Sequence, residues 1–167
     1  MKKYIVLFLA LVASFPAYAG SVPEEIGVFK DWTAYSYKEG NNTVCYMAST
    51  PVKDEGNYKA RGDIYAIVTH RPAEKSYNVV NFVAGYTYKK GEKVIVKIGT
   101  TSFNNLFTNG ESAWAPDNAT DKKLVDTMKR GEKMIVEGIS ARGTKTKDTY
   151  SLAGFTGAYN AISKKCK

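Results

Sequence analysis

Short runs of β-forming residues, separated by turn signals, recur after residue 20 and limit the folds that the chain can adopt. The clearest run is Lys93–Ile98, where Val94, Val96 and Ile98 alternate with other residues, as on a half-buried strand. Further strands are predicted at Val28–Tyr37, Thr43–Thr50, Asp63–His70, Tyr77–Ala84, Lys133–Ala141 and Thr146–Leu152. The last two flank a turn and are predicted to form a hairpin. The sequence therefore predicts a mainly β, single-domain antiparallel β-sandwich or partly open barrel.

Helical patterns are few. Asp117–Arg130 places Leu124, Val125 and Met128 at helical spacing, and Gly131 follows as a stop signal. The oxygen-rich start of this segment has an alternative interpretation as a calcium loop, but it lacks the twelve-residue EF-hand pattern and is typical of a helix cap. A second short helix is predicted at Phe155–Lys164, and Phe103, Leu106 and Phe107 are expected to supply core near a turn.

The amino terminus has the pattern of a secretory signal peptide. Lys2 and Lys3 precede the apolar run Tyr4–Phe15, and the small residues of Ala17–Ala19 stand before Gly20. A membrane anchor is the alternative, but a spanning helix needs about 20 apolar residues and this run is shorter. We therefore expect a cleaved signal peptide at residues 1–19 and one β-rich domain at residues 20–167, in the periplasm, associated with the outer membrane, or secreted.

The formal net charge is +8, to which Lys2 and Lys3 contribute two. The remaining positive charge is spread along the chain, which favours anionic surfaces such as lipid headgroups without specifying one; the alternative is a solvated basic surface. Peripheral attachment to a membrane surface is compatible with this composition. Nucleic acid is not an expected partner, because no RNA-binding or helix-turn-helix pattern is present.

The chain has two cysteines, Cys45 and Cys166. In an oxidising compartment an even count without metal partners first indicates a disulfide, while two free thiols or a zinc pair are the alternative. A bridge would enclose a loop of roughly 120 residues, worth about 4 to 5 kcal/mol in the chain-entropy model. It would attach the carboxyl-terminal tail to an early strand.

Recognisable catalytic, metal and cofactor patterns are absent from the sequence, so none of these sites is predicted. There is no G-x-S-x-G elbow, and His70 lies on a strand expected to be largely buried, where a structural role is favoured. The carboxylate pairs Glu24–Glu25 and Asp54–Glu55 lie in polar segments that give no reason for a raised pKa. An envelope hydrolase using His70 or a carboxylate is kept as the rival hypothesis.

Tyrosine is abundant: the chain has 12, and many stand near lysines in the first half. Tyrosine combines a large apolar ring with a polar end, which suits protein contacts, carbohydrate stacking and membrane headgroups, although it is also a favoured strand residue. We select Tyr86, Tyr88, Lys89 and Lys90 as candidate partner-binding residues, because this segment is expected to be an exposed strand end and turn.

Several segments, in order along the chain, resemble the invasion-associated locus B family of exported bacterial proteins. Phe29–Trp32 is similar to the family's opening strand, Cys45–Met47 to its early cysteine strand and Lys133–Gly138 to the strand before its polar hairpin. Tyr150–Phe155 is similar to its closing S-L-x-G-F segment, and Cys166 to its last cysteine. Many relatives carry a further cysteine soon after the tryptophan, where this chain has Tyr35 and Ser36, so the resemblance leaves the disulfide pairing open.

The resemblance implies a β-rich protein of the periplasm or outer membrane with no established enzymatic activity or cofactor. We therefore expect an exported, non-enzymatic binding module, in a family named for host-cell invasion. Its expected partner is an envelope or host-surface protein, or an anionic envelope component. A carrier of a small apolar ligand is a further alternative, which requires an apolar cavity of several hundred Å³. The sequence does not reveal the oligomeric state.

Overall fold

A computed structural model describes residues 22–167. The predicted signal peptide, residues 1–19, lies outside the described residues. The strands are β1 (Glu24–Phe29), β2 (Trp32–Glu39), β3 (Asn42–Ser49), β4 (Lys53–Gly56), β5 (Tyr65–Arg71), β6 (Ser76–Val83), β7 (Val94–Ile98), β8 (Thr101–Asn109), β9 (Ser112–Trp114), β10 (Lys133–Ile139) and β11 (Lys145–Ser151). The helices are α1 (Asn118–Met128) and α2 (Phe155–Lys165), with one 3-10 turn at Pro72–Glu74.

Within residues 22–167, eleven strands form one antiparallel sheet in the order β1-β2-β3-β5-β6-β9-β8-β7-β10-β11-β4. Strand β8 joins the two halves of this sheet, because Thr101–Leu106 pairs with β7 while Phe107–Asn109 pairs with β9. The two end strands, β1 and β4, do not pair with each other, so the sheet is not closed into a barrel. The mainly β prediction is confirmed, and the described part of the chain folds as one open sheet with two helices.

The expected single strand Val28–Tyr37 is wrong. Lys30 has a positive φ of 53° and, with Asp31, forms a tight turn that divides the segment into the hairpin of β1 and β2. Lysine is not a typical turn residue, so no local pattern indicated a turn at Lys30. The prediction that Phe103, Leu106 and Phe107 supply core is only partly confirmed. Phe103 and Leu106 are buried within β8, but Phe107 is 42% exposed.

The other patterns are largely confirmed. Val94, Val96 and Ile98 are buried, while Lys97 on the opposite face is exposed. Helix α1 begins where the cap was expected, since the Asp117 carboxylate accepts a hydrogen bond of 2.7 Å from the backbone N–H of Thr120. No helix among residues 22–167 has the length and apolar composition needed to cross a bilayer.

Helix α2 packs on β1, β2 and β3, and α1 packs on β6. Trp32 is fully buried between the first strands and α2: its ring meets Phe155 edge to face at 4.9 Å, and its Nε1–H donates to the Ser151 carbonyl at 3.0 Å.

The predicted disulfide is confirmed, because Cys45 on β3 is bonded to Cys166 just beyond α2, with Cα atoms 6.0 Å apart. The bridge fixes the end of α2 on the sheet.

Candidate functional site: a basic cleft walled by tyrosines

A buried ion pair joins the loop between β4 and β5 to strand β11. The guanidinium of Arg61 donates two hydrogen bonds of 2.6 Å to the carboxylate of Asp148, and its Nε–H donates to the Ala84 carbonyl at 2.6 Å. The two side chains are only 3% and 5% exposed. Such a bidentate contact fixes both the position and the orientation of the loop.

In this pair, each residue shifts the pKa of the other so that both charged forms are favoured. Burial alone would lower the pKa of the Arg61 guanidinium, but the hydrogen bonds and charge of Asp148 raise it above its ordinary value. Burial raises the pKa of the Asp148 carboxyl, and the contact with Arg61 opposes that rise. The pair is therefore internally balanced, and it adds little net charge to the surface above it.

Two tyrosine rings enclose the guanidinium. The carbon of the Arg61 guanidinium lies 5.4 Å from the centre of the Tyr58 ring and 5.0 Å from that of Tyr86. The Tyr86 hydroxyl forms a 2.6 Å hydrogen bond with the Thr146 hydroxyl, while the Tyr58 hydroxyl donates to Asp54. Both phenols are thus held in place, and their rings form two rigid walls.

An open cleft of about 610 Å³ lies above this pair. Its lining includes the tyrosine walls and the hydroxyl-bearing residues Thr87, Ser140 and Thr144, with Lys59 and Arg142 among the exposed residues of the lining. Within residues 22–167, neither Lys59 nor Arg142 forms an ion pair. The cleft thus combines aromatic faces, hydroxyl groups and two cations without an ion-pair partner, which we call uncommitted. This combination suits an anionic group carried on a larger molecule.

The predicted binding segment is divided between this cleft and other surroundings. Tyr86 lines the cleft, whereas the exposed position expected for Tyr88 is wrong, since that residue is only 6% exposed. Tyr88 forms an isolated β-bridge with Ser140 on the β10–β11 turn. Because Gly138 has no Cβ, there is room beside it for the rings of Tyr86 and Tyr88. Lys89 and Lys90 are exposed, with Lys89 3.3 Å from Glu92. Their role in binding stays a prediction.

His70 lies elsewhere, beneath α2. It is 3% exposed, its Nε2 lies 3.1 Å from the Ser163 hydroxyl, and its Nδ1 accepts a 3.1 Å hydrogen bond from the Asn78 N–H. The rings of Tyr77 and Tyr159 contact it edge to face. Burial lowers the pKa of the imidazole, its Nε2 contact joins α2 to β5, and its Nδ1 contact joins β5 to β6.

The sequence reasoning missed Arg61, Asp148 and Tyr58. One signal for Asp148 was present: Thr146, Asp148 and Tyr150 alternate along a predicted strand, so this carboxylate shares one face of the strand with an aromatic ring. A buried carboxylate requires a partner. No local pattern identifies Arg61 as that partner, because it stands 87 positions away in a loop.

The fold and the cleft together define an open antiparallel β-sheet protein with a tyrosine-walled basic cleft. The family model described as "Invasion associated locus B (IalB) protein" matches residues 32–163. The chain belongs to this family, as the resemblance indicated. No curated protein matched the sequence.

The crystal structure of invasion associated protein B from Bartonella henselae has a similar fold. The two structures align with a TM-score of 0.58 and 17% sequence identity, over 87% of this chain and 97% of that chain. At this identity the similarity shows the fold alone.

Proposed function

We propose that this chain is an exported, non-enzymatic binding protein of the bacterial envelope, and that its cleft holds a phosphate group of an envelope amphiphile. The observation that carries the proposal is the pair of uncommitted cations, Lys59 and Arg142, in a cleft whose buried charge is already balanced. Arginine binds phosphate with paired hydrogen bonds, and the neighbouring hydroxyls offer further donors.

The overall charge supports the same assignment. With 24 lysines and arginines against 16 acidic residues, the chain is drawn towards anionic surfaces, which anionic lipids and lipopolysaccharide provide in an envelope. The tyrosines in the cleft add the amphipathic rings that favour the interfacial region of a bilayer. The amino-terminal pattern and the family to which the chain belongs support export.

The rival functions have less support. A hydrolase that uses His70 would need it at a site open to substrate, but its imidazole is enclosed beneath α2, where Nε2 contacts Ser163. A carrier of an apolar ligand would need an apolar cavity, whereas the cleft has hydroxyls and cations on its walls. Neither rival explains why two cations remain uncommitted in the cleft.

Cosedimentation of the oxidised mature protein with vesicles tests the proposal. We expect binding to phosphatidylglycerol vesicles or to lipopolysaccharide, weak binding to phosphatidylcholine, and a decrease as salt is added. The two anionic probes distinguish a lipid headgroup from a lipopolysaccharide phosphate. A Lys59→Ser/Arg142→Ser variant should lose about 2 kcal/mol of binding, or roughly 30-fold in affinity, because each cation near an anionic surface contributes about 1 kcal/mol.

The charge-matched control is Arg130→Ser/Lys133→Ser, which removes two exposed cations outside the cleft. This control should keep most of the binding. Equal losses in both variants would mean that net charge, not the cleft, attracts the protein to the vesicles. A Lys89→Ser/Lys90→Ser variant tests the contribution of the predicted segment separately.

A further inference from the structure

A second surface lies on the outward side of β2, β3 and β5. Residues on β2 alternate: Trp32, Ala34 and Ser36 are buried, while Tyr35 and Tyr37 point to the other side and are partly exposed. Tyr35 stands directly opposite Tyr46 on β3, and their rings stack with centres 5.0 Å apart and planes 20° from parallel. With Tyr65 on β5, these side chains form what we call the tyrosine face: Tyr35, Tyr37, Tyr46 and Tyr65.

The tyrosine face is electrically neutral. At one edge of the face, the Arg71 guanidinium donates to the Tyr37 hydroxyl at 3.1 Å, and its charge is paired with Glu39 at 2.6 Å. The outward residues inside this edge carry no charge: Thr33, Tyr35, Tyr37, Tyr46, Ala48, Tyr65, Ile67 and Thr69. This is unusual in a chain with 24 lysines and arginines. A surface that attracts an anion would carry unpaired cations, whereas Arg71 at the edge is already paired, so the expected ligand is neutral.

A groove of about 330 Å³ runs along one end of this face. Tyr35 and Tyr65 line it together with Thr33, Thr50 and the exposed carboxylate of Asp31. Among the described residues, no hydrogen bond or ion pair engages the Asp31 side chain. The neighbouring Lys30 offsets its charge, so the groove also has no net charge.

This chemistry fits a sugar better than a protein side chain. An aromatic ring packs against the C–H face of a sugar, while a carboxylate and threonine hydroxyls pair with sugar hydroxyls, which both donate and accept. An apolar protein partner would instead cover the Asp31 carboxylate without giving it a donor, which is costly. Stacked rings beside a line of polar groups suit a chain of sugar units.

We propose that the tyrosine face and its groove bind a neutral glycan chain. Tyr35 and Tyr46 provide the stacking platform, Tyr65 forms a wall of the groove, and Asp31 accepts hydrogen bonds from sugar hydroxyls. The site is separate from the basic cleft: the two linings share no residue, and the ligand classes differ in charge.

The test is a titration of the oxidised mature protein with four neutral hexasaccharides: chitohexaose, cellohexaose, maltohexaose and mannohexaose. Binding is measured by calorimetry and located by backbone amide chemical shifts. We expect at least one of them to bind, with shifts concentrated at β2, β3 and β5. A Tyr35→Ala/Tyr46→Ala variant should bind about tenfold more weakly or worse, because it removes the platform. Asp31→Asn, which keeps the shape of the groove, should also weaken binding.

Tyr77→Ala is the matched control, since Tyr77 is 41% exposed but contacts His70 outside the tyrosine face. It should bind like the unaltered protein. Absence of binding to all four sugars, or shifts located at the basic cleft, would overturn the proposal. Sedimentation that shows a dimer broken by the Tyr35→Ala/Tyr46→Ala change would also overturn it, because the face would then be covered by a second copy.

Discussion

Asp148 and Asp121 are carboxylates that the fold encloses among core side chains, and each is balanced in a different way. Asp148 is paired with a full positive charge, whereas Asp121 accepts a single 2.9 Å hydrogen bond from the Val80 N–H. The cost of burying a charge depends on what compensates it. The two residues should therefore respond differently to substitution and to pH.

Removal of Asp148 should be strongly destabilising. Asp148→Ala leaves the buried guanidinium of Arg61 without its counter-charge, and we expect a loss of about 3 to 5 kcal/mol in the free energy of unfolding measured with urea. Glu137→Ala is the matched control, because its 2.7 Å pair with Lys97 is partly exposed and should cost less than about 1 kcal/mol. Similar losses in both variants would contradict the assignment of Arg61 and Asp148 as a buried anchor.

Asp121 should make stability depend on pH. Burial raises its pKa to about 6, with the Val80 hydrogen bond opposing and the charge of Asp117 adding to the rise. Because the folded state holds this proton more tightly than the unfolded state, the contribution is complete below pH of about 4 and is lost as pH rises through about 6. Asp121→Asn, which keeps the acceptor oxygen, should remove this dependence.

The measurement is the free energy of unfolding at pH 4 and pH 7. Relative to Asp121→Asn, the unaltered protein should lose up to about 3 kcal/mol between these two values. Asp126→Asn on the same helix is the control, because the contact with Lys122 lowers the pKa of Asp126, the opposite direction from Asp121. An unchanged pH profile in Asp121→Asn would contradict the assignment.

At the scale of elements, the position of helix α2 on the sheet depends on Gly154, the residue just before its first turn. Gly154 has a φ of 88°, and a Cβ at this position would collide with the Phe29 carbonyl on β1. Only glycine allows both the left-handed backbone and this close approach. The glycine of the S-L-x-G-F segment therefore has a structural reason: it lets α2 begin directly against the first hairpin.

Gly154→Ala should cost more than about 2 kcal/mol in the free energy of unfolding, from backbone strain plus the collision. Gly143→Ala is the control, because Gly143 has a nearly identical φ of 87° but open space around it. It should cost only about 1 kcal/mol, the penalty of the backbone conformation alone. Thermal or urea unfolding of both variants separates the two effects, and equal costs would contradict the close packing of α2.

The disulfide holds the other end of α2. Reduction should lower the free energy of unfolding by about 2 to 5 kcal/mol, because the bridge constrains an unfolded loop between residues 121 positions apart. Unfolding with and without dithiothreitol gives this difference, and a Cys45→Ala/Cys166→Ala variant should be insensitive to the reductant. Equal stability of the oxidised and reduced forms would mean that the bridge contributes nothing.

At the scale of the whole molecule, sequence patterns predicted what local physics determines. Alternation identified β7, and spacing with a capping aspartate identified α1. The strands that were missed are β4, β8 and β9. Strands β4 and β9 are four and three residues long, too short for a period-two pattern to be distinctive. Strand β8 is nine residues long, but its buried residues Phe103 and Leu106 are three positions apart, so it lacks the alternation of a regular strand. The open sheet, with β8 joining its halves, depends on long-range pairing that no local pattern encodes.

The candidate site was predictable only in part. Tyr86 was selected from its neighbourhood of aromatic and basic residues, and it does line the cleft. Tyr88 was misplaced because its burial depends on the missing side chain of Gly138, a residue 50 positions away. Arg61 could not be found, since its importance arises from a partner on a distant strand. The cleft is a product of tertiary structure.

The central claim, that the basic cleft binds a phosphate-bearing headgroup, is tested most directly by residue-resolved mapping. Backbone amide shifts of the oxidised mature protein would be followed while short-chain phosphatidylglycerol is added below its micelle concentration. We expect the largest shifts at Tyr58, Lys59, Tyr86, Thr87 and Arg142, and smaller shifts in the Lys59→Ser/Arg142→Ser variant. Shifts spread evenly over exposed lysines, or none at the cleft, would contradict it.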